Sequence, residues 1–305
     1  MPVTWSQGST YVCHGITWAT GNPRLLLAPL PGGALIYAEI MKQRLGFQAG
    51  AGRWCTGRYG FASAIQVEAV ACPDRAPAKH GGQCARCAAQ DEFRFAHQYH
   101  QGGHAPEAVV RYMAQPHWLY LATFADGGTK VGTAAEPRKQ SRLDEQGPVF
   151  ATYLARASDG RTVRYAEDAL TQRLHLPQTV RAQAKLRALA DVSDLSEAGV
   201  AHDDAVDRAV DALADMGIPP APEKWAPPAE GDLLRAFGTQ CVLYPHDPRA
   251  GEHGFTPLSC VGSNTLAVLE DTEMSYLLDL GALKGCRITF GDFTSPRAVI
   301  QSSLF

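Results

Sequence analysis

Trp118-Leu119-Tyr120-Leu121-Ala122 opens the stretch whose reading decides the fold, and Glu167 closes it. The run from Leu119 to Phe124 alternates apolar and aromatic residues as a strand does. Asp126-Gly127-Gly128 is a hairpin turn, and Thr129-Lys130-Val131-Gly132 is the return strand. Glu136 to Glu145 reads as a basic helix that stops at Gly147. Phe150 to Ala157 is a third strand, Asp159-Gly160 turns the chain, and Thr162 to Leu174 is the next helix. A small sheet flanked by helices is an α+β pattern. It can bring the Tyr120 phenol, the Arg142 guanidinium and the Glu167 carboxylate to one place. Taken singly, each has a plainer use: Tyr120 as a core aromatic, Arg138 and Arg142 as a solvated helix face, Glu167 as an exposed carboxylate beside Arg164.

Working outward, residues 1 to about 110 are rich in strand and loop signals, with Gly and Pro between short β-type runs. Residues 111–190 hold the α+β unit. Residues 191 to 216 are acidic and helical, with Val206, Ala209, Val210 and Leu213 on one buried face. Gly217 to Gly231 is a proline-rich, extended linker, so 191–231 joins the unit to the tail. Residues 232–305 return to strands, and these are expected to pack on the N-terminal strands.

The chain has 305 residues, enough for two or three modules around sizeable cores. Lys and Arg total 28 against 31 Asp and Glu, a formal charge of −3. There is no global attraction to nucleic acid or acidic membranes, so any such contact needs a local basic face. Lys130, Arg138, Lys139 and Arg142 offer one, and Arg173 to Arg187 another. The N-terminus lacks a basic start with an apolar run, and the greasiest window, Leu25 to Ala38, is broken by Pro and Gly. A cytoplasmic location is expected, with no membrane partner.

Eight cysteines in a reducing compartment argue against a disulfide framework. Cys84-Ala85-Arg86-Cys87 is a knuckle, in which two thiolates two residues apart reach one tetrahedral ion. Cys55 and Cys72 are the best remaining thiols for a structural zinc, with His80, His97 and His100 as rivals. The alternative is that Cys55 and Cys72 are core thiols. Cys13, Cys241, Cys260 and Cys286 lack ligand spacing. His97, His100 and His104 lie in a polar stretch that reads as a surface loop.

At Trp118 to Ala122, Lys130-Val131-Gly132, Arg142 and Glu167 the chain resembles the GIY-YIG nuclease superfamily. More narrowly, it resembles a prokaryotic domain family of unknown function with a GIY-YIG-like core behind a cysteine-containing N-terminal region. Arg53-Trp54-Cys55-Thr56-Gly57, Cys72-Pro73 and Gln83 to Cys87 fit that arrangement. The resemblance implies that Tyr120 activates water, that Arg142 steadies the charged transition state, and that Glu167 holds one magnesium or manganese ion. The sequence departs from the superfamily at the second strand, where Lys130 replaces a tyrosine, and Thr133 is displaced by one. The expected function is a metal-dependent nuclease acting on DNA or RNA. The alternatives are a nucleic-acid-binding module without catalysis, or a zinc-stabilised interaction protein. No phosphate loop, nucleophile elbow, dinucleotide fingerprint or His-Glu-x-x-His pair is present.

Overall fold

The computed structural model describes residues 5–78, 82–102, 104–192, 194–229, 241–270, 272 and 274–297. The chain begins with β1 (Thr10–Thr17), β2 (Arg24–Pro29), β3 (Ile36–Glu39) and β4 (Leu45–Gly50), then a short hairpin of β5 (Arg58–Phe61) and β6 (Val67–Val70). Helices α1 (Ala85–Gln90) and α2 (Glu107–Met113) lead to β7 (His117–Thr123) and β8 (Thr129–Ala135). Then come α3 (Lys139–Gln146), β9 (Phe150–Ala157), α4 (Gly160–Leu174), α5 (Ala182–Asp191) and α6 (Ser196–Asp215). The two-residue β10 (Glu223–Lys224) precedes β11 (Cys241–Leu243), β12 (Gly251–Val261), β13 (Asn264–Val268), β14 (Ser275–Asp279) and β15 (Arg287–Phe290). The fold is α+β with strands towards both ends of the chain, the class expected from sequence. No described helix is long and apolar enough to cross a membrane.

Nine strands form the larger sheet, in the order β11-β14-β13-β12-β4-β15-β1-β2-β3. β15 pairs with both β4 and β1, so the C-terminal strands complete a sheet that the N-terminal strands begin. Its core is apolar: Leu25, Leu27, Phe47, Phe255, Ile288 and Phe290 are at most 1% exposed. Phe47 meets Phe255 and Phe290 edge-on at 5.9 and 6.4 Å between ring centroids, the arrangement that aromatic quadrupoles favour.

The smaller sheet runs β10-β9-β7-β8. Side chains alternate across a strand, and the two faces have separate helices. Leu119, Leu121, Val131 and Leu154 pack under α4 and α6. Tyr120, Ala122, Ala134 and Tyr153 pack with Leu143 of α3 on the other face. Asp159 caps α4 by accepting from the amides of Arg161 and Thr162 at 2.9 and 2.8 Å, an interaction of about 0.5–2 kcal/mol. His202 of α6 is 4% exposed and bridges Thr123 and Thr152 at 2.8 and 2.9 Å, so its two ring nitrogens are both satisfied inside the sheet–helix interface.

Two connections fix the small sheet in place. The proline-rich segment is extended at Glu223-Lys224, where it adds β10 to β9, and Trp225 then buries its ring and donates to Asp144 at 3.0 Å. Gly147, with φ +63°, ends α3 against the turn between β12 and β13. A Cβ there would come within 2.8 Å of the Val261 backbone, so glycine both stops the helix and seats it on the larger sheet.

Candidate functional site

The register of the small hairpin explains its glycine. Tyr120 stands directly opposite Gly132. A Cβ on Gly132 would lie 2.5 Å from both Cζ and Oη of Tyr120, so the missing side chain is the space into which the phenol folds. Tyr120 is fully buried, and the polar group its hydroxyl faces is the Arg142 guanidinium. Burial pushes the phenol's pKa up, and the guanidinium of Arg142 beside it acts in the opposite sense.

Lys130 precedes Gly132 by two residues and so projects to the same face. It is 3% exposed, donates to the Gln178 carbonyl at 3.3 Å, and holds its ammonium 5.6 Å from the Tyr120 ring centroid. Burial, and then repulsion from Arg142, push its pKa down to about 8, against the attraction of Glu167. Arg142 comes from α3 and is half-buried. No carboxylate lies within ion-pair distance of it among the described residues; the neighbouring Glu145 takes Arg138 instead, at 2.5 Å.

Glu167 arrives from the other side of the sheet. The apolar residues of its helix, Val163, Ala166 and Leu170, cover the opposite face. Glu167 itself is 3% exposed, and its charge acts on both Tyr120 and Lys130. Its Oε2 accepts from Arg164 at 2.6 Å, three residues away on the same helix. Tyr120, Lys130 and Arg142 therefore share one face, and Glu167 is electrostatically coupled to that group from an adjoining helix. Arg164 is the member that sequence reading treated only as a neighbour; its i, i+3 spacing to Glu167 was the available signal.

Of this group, Arg142 lines two cavities and Lys130 the smaller of them, while Tyr120 and Glu167 lie behind their walls. A cleft of about 730 Å³ lies between the small sheet, the cysteine-containing segment and the larger sheet. Arg138, Arg142 and Arg164 line it from the small sheet's side, Arg94 from the segment after α1, and His14 and Lys284 from the larger sheet. His14 is buried, its Nε2 has no partner among the described residues, and burial followed by Lys284 and Arg75 pushes its pKa down to about 4. It therefore faces the cleft as a neutral imidazole. A second cavity of about 290 Å³ shares Arg142, Glu145 and Ser263 with the first.

The four cysteines singled out by spacing come together. Cys55, Cys72, Cys84 and Cys87 are buried, and their sulfurs all lie within 4.8 Å of one another. Cys72 Sγ and Cys84 Sγ are 3.9 Å apart, close to the ~3.8 Å edge of a tetrahedron with ~2.3 Å zinc–sulfur bonds. The amides of Gly57 and Cys84 donate to Cys55 Sγ at 3.3 and 3.1 Å, but burial outweighs them and raises the thiol's pKa. At Cys84, burial opposes ionisation, but the Cys87 amide and the surrounding thiols prevail and lower its pKa. This donor set could hold a metal such as zinc. Cys13, Cys260 and Cys286 are buried elsewhere, and Cys241 is partly exposed.

The histidine stretch differs from its reading as a plain surface loop at one residue. His100 is 6% exposed and bonds Asp168 of α4 at 2.9 Å, while Tyr165 donates to its carbonyl at 2.8 Å. It pins the segment to α4, and His104 is exposed. His80 and the side chain of His97 lie outside the described residues. Among the described residues, the only cluster of three or more metal-ligating side chains is the cysteine group.

No curated protein and no solved structure matches the chain. Residues 68–216 match the model of a family described as "Protein of unknown function (DUF2797)". The match spans Cys72, Cys84, Cys87 and strands β7, β8 and β9 with α3, α4 and α6, but not Cys55 or β10, so the chain is similar to that family over the elements that carry Tyr120, Lys130, Arg142 and Glu167.

Proposed function

We propose that this protein binds nucleic acid in the 730 Å³ cleft and hydrolyses its phosphodiesters at the group formed by Tyr120, Lys130, Arg142 and Glu167. The observation that carries this reading is a sheet face with uncompensated cations beside a basic cleft. Among the described residues Lys130 is buried without a carboxylate partner, and Arg142, which faces the Tyr120 hydroxyl, has no counter-ion. A polyanion would supply what these groups lack.

Arg142 contacts two phosphate oxygens through its planar fork. The Tyr120 hydroxyl stays protonated, because burial raises its pKa, and orients the attacking water. Lys130, with a pKa of about 8 and so charged at neutral pH, stabilises the negative charge that builds on the phosphate, and the water's proton leaves to solvent. Glu167 would hold the magnesium or manganese ion, which would neutralise charge on the leaving oxygen. A lone carboxylate suits such an ion, since magnesium keeps several waters and takes other ligands from substrate phosphates. Arg164 must then leave Glu167 and turn to the phosphate. Cys55, Cys72, Cys84 and Cys87 would hold a structural zinc that stiffens the wall opposite the small sheet.

A second reading, binding without hydrolysis, is favoured by the Arg164–Glu167 pair, which already satisfies the carboxylate at 2.6 Å. Labelled single- and double-stranded DNA and RNA, incubated with magnesium or manganese, separate the two. Glu167→Gln should lower cleavage at least ~100-fold and leave binding intact. Equal cleavage by both proteins would place the activity elsewhere, and salt-sensitive binding without cleavage would select the second reading. Elemental analysis should find one zinc per chain, lost in Cys84→Ser; a folded, metal-free wild type would remove the zinc.

A further inference from the structure

The smaller cavity, about 290 Å³, is formed where three parts of the chain meet. Lys130 and Arg142 come from the small sheet and α3, Lys185 from α5, and Ser263 and Asn264 from the start of β13. Lys130 is 97% enclosed and uses one of its three donors on Gln178. Lys185 donates to the Gln146 carbonyl at 2.7 Å and stacks its ammonium 4.3 Å from the Phe124 ring centroid. Asn264 is 5% exposed, lines the cavity, and its carboxamide oxygen has no partner among the described residues.

Negative charge is scarce here. Glu145 lines the cavity but is engaged by Arg138, and Asp279 accepts from Ser263 and the Gly281 amide. Three cations around a small half-open space, with no free carboxylate among the described residues that line it, repel one another, and a bound anion relieves that repulsion. Lys185 registers it: burial, then Lys130 and Arg142, push its pKa down to about 7. The volume lies at the lower limit of small-molecule sites, about 300–1,000 Å³. That excludes a duplex and admits one nucleotide.

We propose that this cavity is a subsite for a terminal phosphate monoester, with Lys185, Lys130 and Arg142 around the phosphate and the Asn264 carboxamide oxygen accepting from a hydroxyl or amine of the attached nucleoside. A dianionic monoester matches three cations better than the monoanionic diesters along a strand. Arg142 lines both cavities, so a strand in the large cleft ends at this pocket. The identity of the ligand as a strand end rests on the reading of the cleft as a nucleic-acid site; a free nucleoside monophosphate carries the same chemistry.

The test is fluorescence anisotropy in EDTA with short single strands carrying a 5′-phosphate, a 3′-phosphate or hydroxyls at both ends, and calorimetry with adenosine 5′-monophosphate. One phosphorylated end should bind at least about tenfold tighter than the hydroxyl-ended strand. Lys185→Gln should erase that gain without changing hydroxyl-ended binding, and Lys185→Arg should keep it. Equal affinity for all three strands, or an equal loss for all in Lys185→Gln, would overturn the subsite while leaving the cleft reading standing. Mononucleotide binding sensitive to Lys185→Gln, with no strand bound, would uphold the subsite and remove the cleft reading.

Discussion

The two faces of the small sheet are made from alternate residues of the same strands, yet they solve different problems. Under α4 and α6, Leu119, Leu121, Val131 and Leu154 are at most 1% exposed, and the buried His202 is bonded at both nitrogens. On the other face, one residue along, sit Tyr120 with its hydroxyl towards Arg142 and Lys130 with its charge enclosed. The first face holds the unit together. The second carries polar groups at a cost to stability, as functional sites do.

Substitutions on the two faces should therefore differ in size and sign. Leu121→Ala deletes a fully buried side chain from the apolar face and should destabilise by about 2–5 kcal/mol in denaturant unfolding. Gly132→Ala should cost less, about 1–3 kcal/mol, because the new methyl displaces the Tyr120 ring rather than emptying the core. It should also weaken nucleic-acid binding, which Leu121→Ala measured below its unfolding transition should not.

Lys130→Met should move the other way and least, a gain on the order of 1 kcal/mol at pH 7. Its pH dependence identifies the cause. The folded pKa of Lys130, about 8, lies below the usual lysine value of about 10.4. Between those values the unfolded chain holds the proton that the native state has released, so stability rises with pH across that window. Below about pH 8 the full penalty is present. Thermal melts from pH 7 to 10 should rise for the wild type and rise less for Lys130→Met. Parallel curves would mean that Lys130 is not the strained group.

Local chemistry made one part of this comparison legible in sequence. The hairpin at Asp126-Gly127-Gly128, the alternation through Tyr120 and the glycine stop at Gly147 are short-range signals, and the elements they predict are present. The Cys84–Cys87 knuckle also carried its own spacing, and Cys55 and Cys72 join it. What sequence did not reveal depends on distant pairing. Lys185 and Asn264 meet Lys130 only because α5 and β13 pack against the same corner. The second role of Gly147 depends on the Val261 backbone, more than a hundred residues away. Arg164 reads only as a neighbour of Glu167 until the burial of that carboxylate is known.

If the polar face of the small sheet holds nucleic acid, as proposed, Arg142 is the residue whose removal should weaken binding most plainly. Its guanidinium lines both cavities and has no counter-ion among the described residues, so removing it should leave the fold intact. Binding of a labelled single strand should be titrated over a range of salt for the wild type and Arg142→Ala. Arg142→Ala should bind at least about tenfold more weakly, with a salt slope shallower by about one phosphate contact and a melting temperature no lower than the wild type's. Equal affinity and equal slope for the two proteins would contradict the proposal.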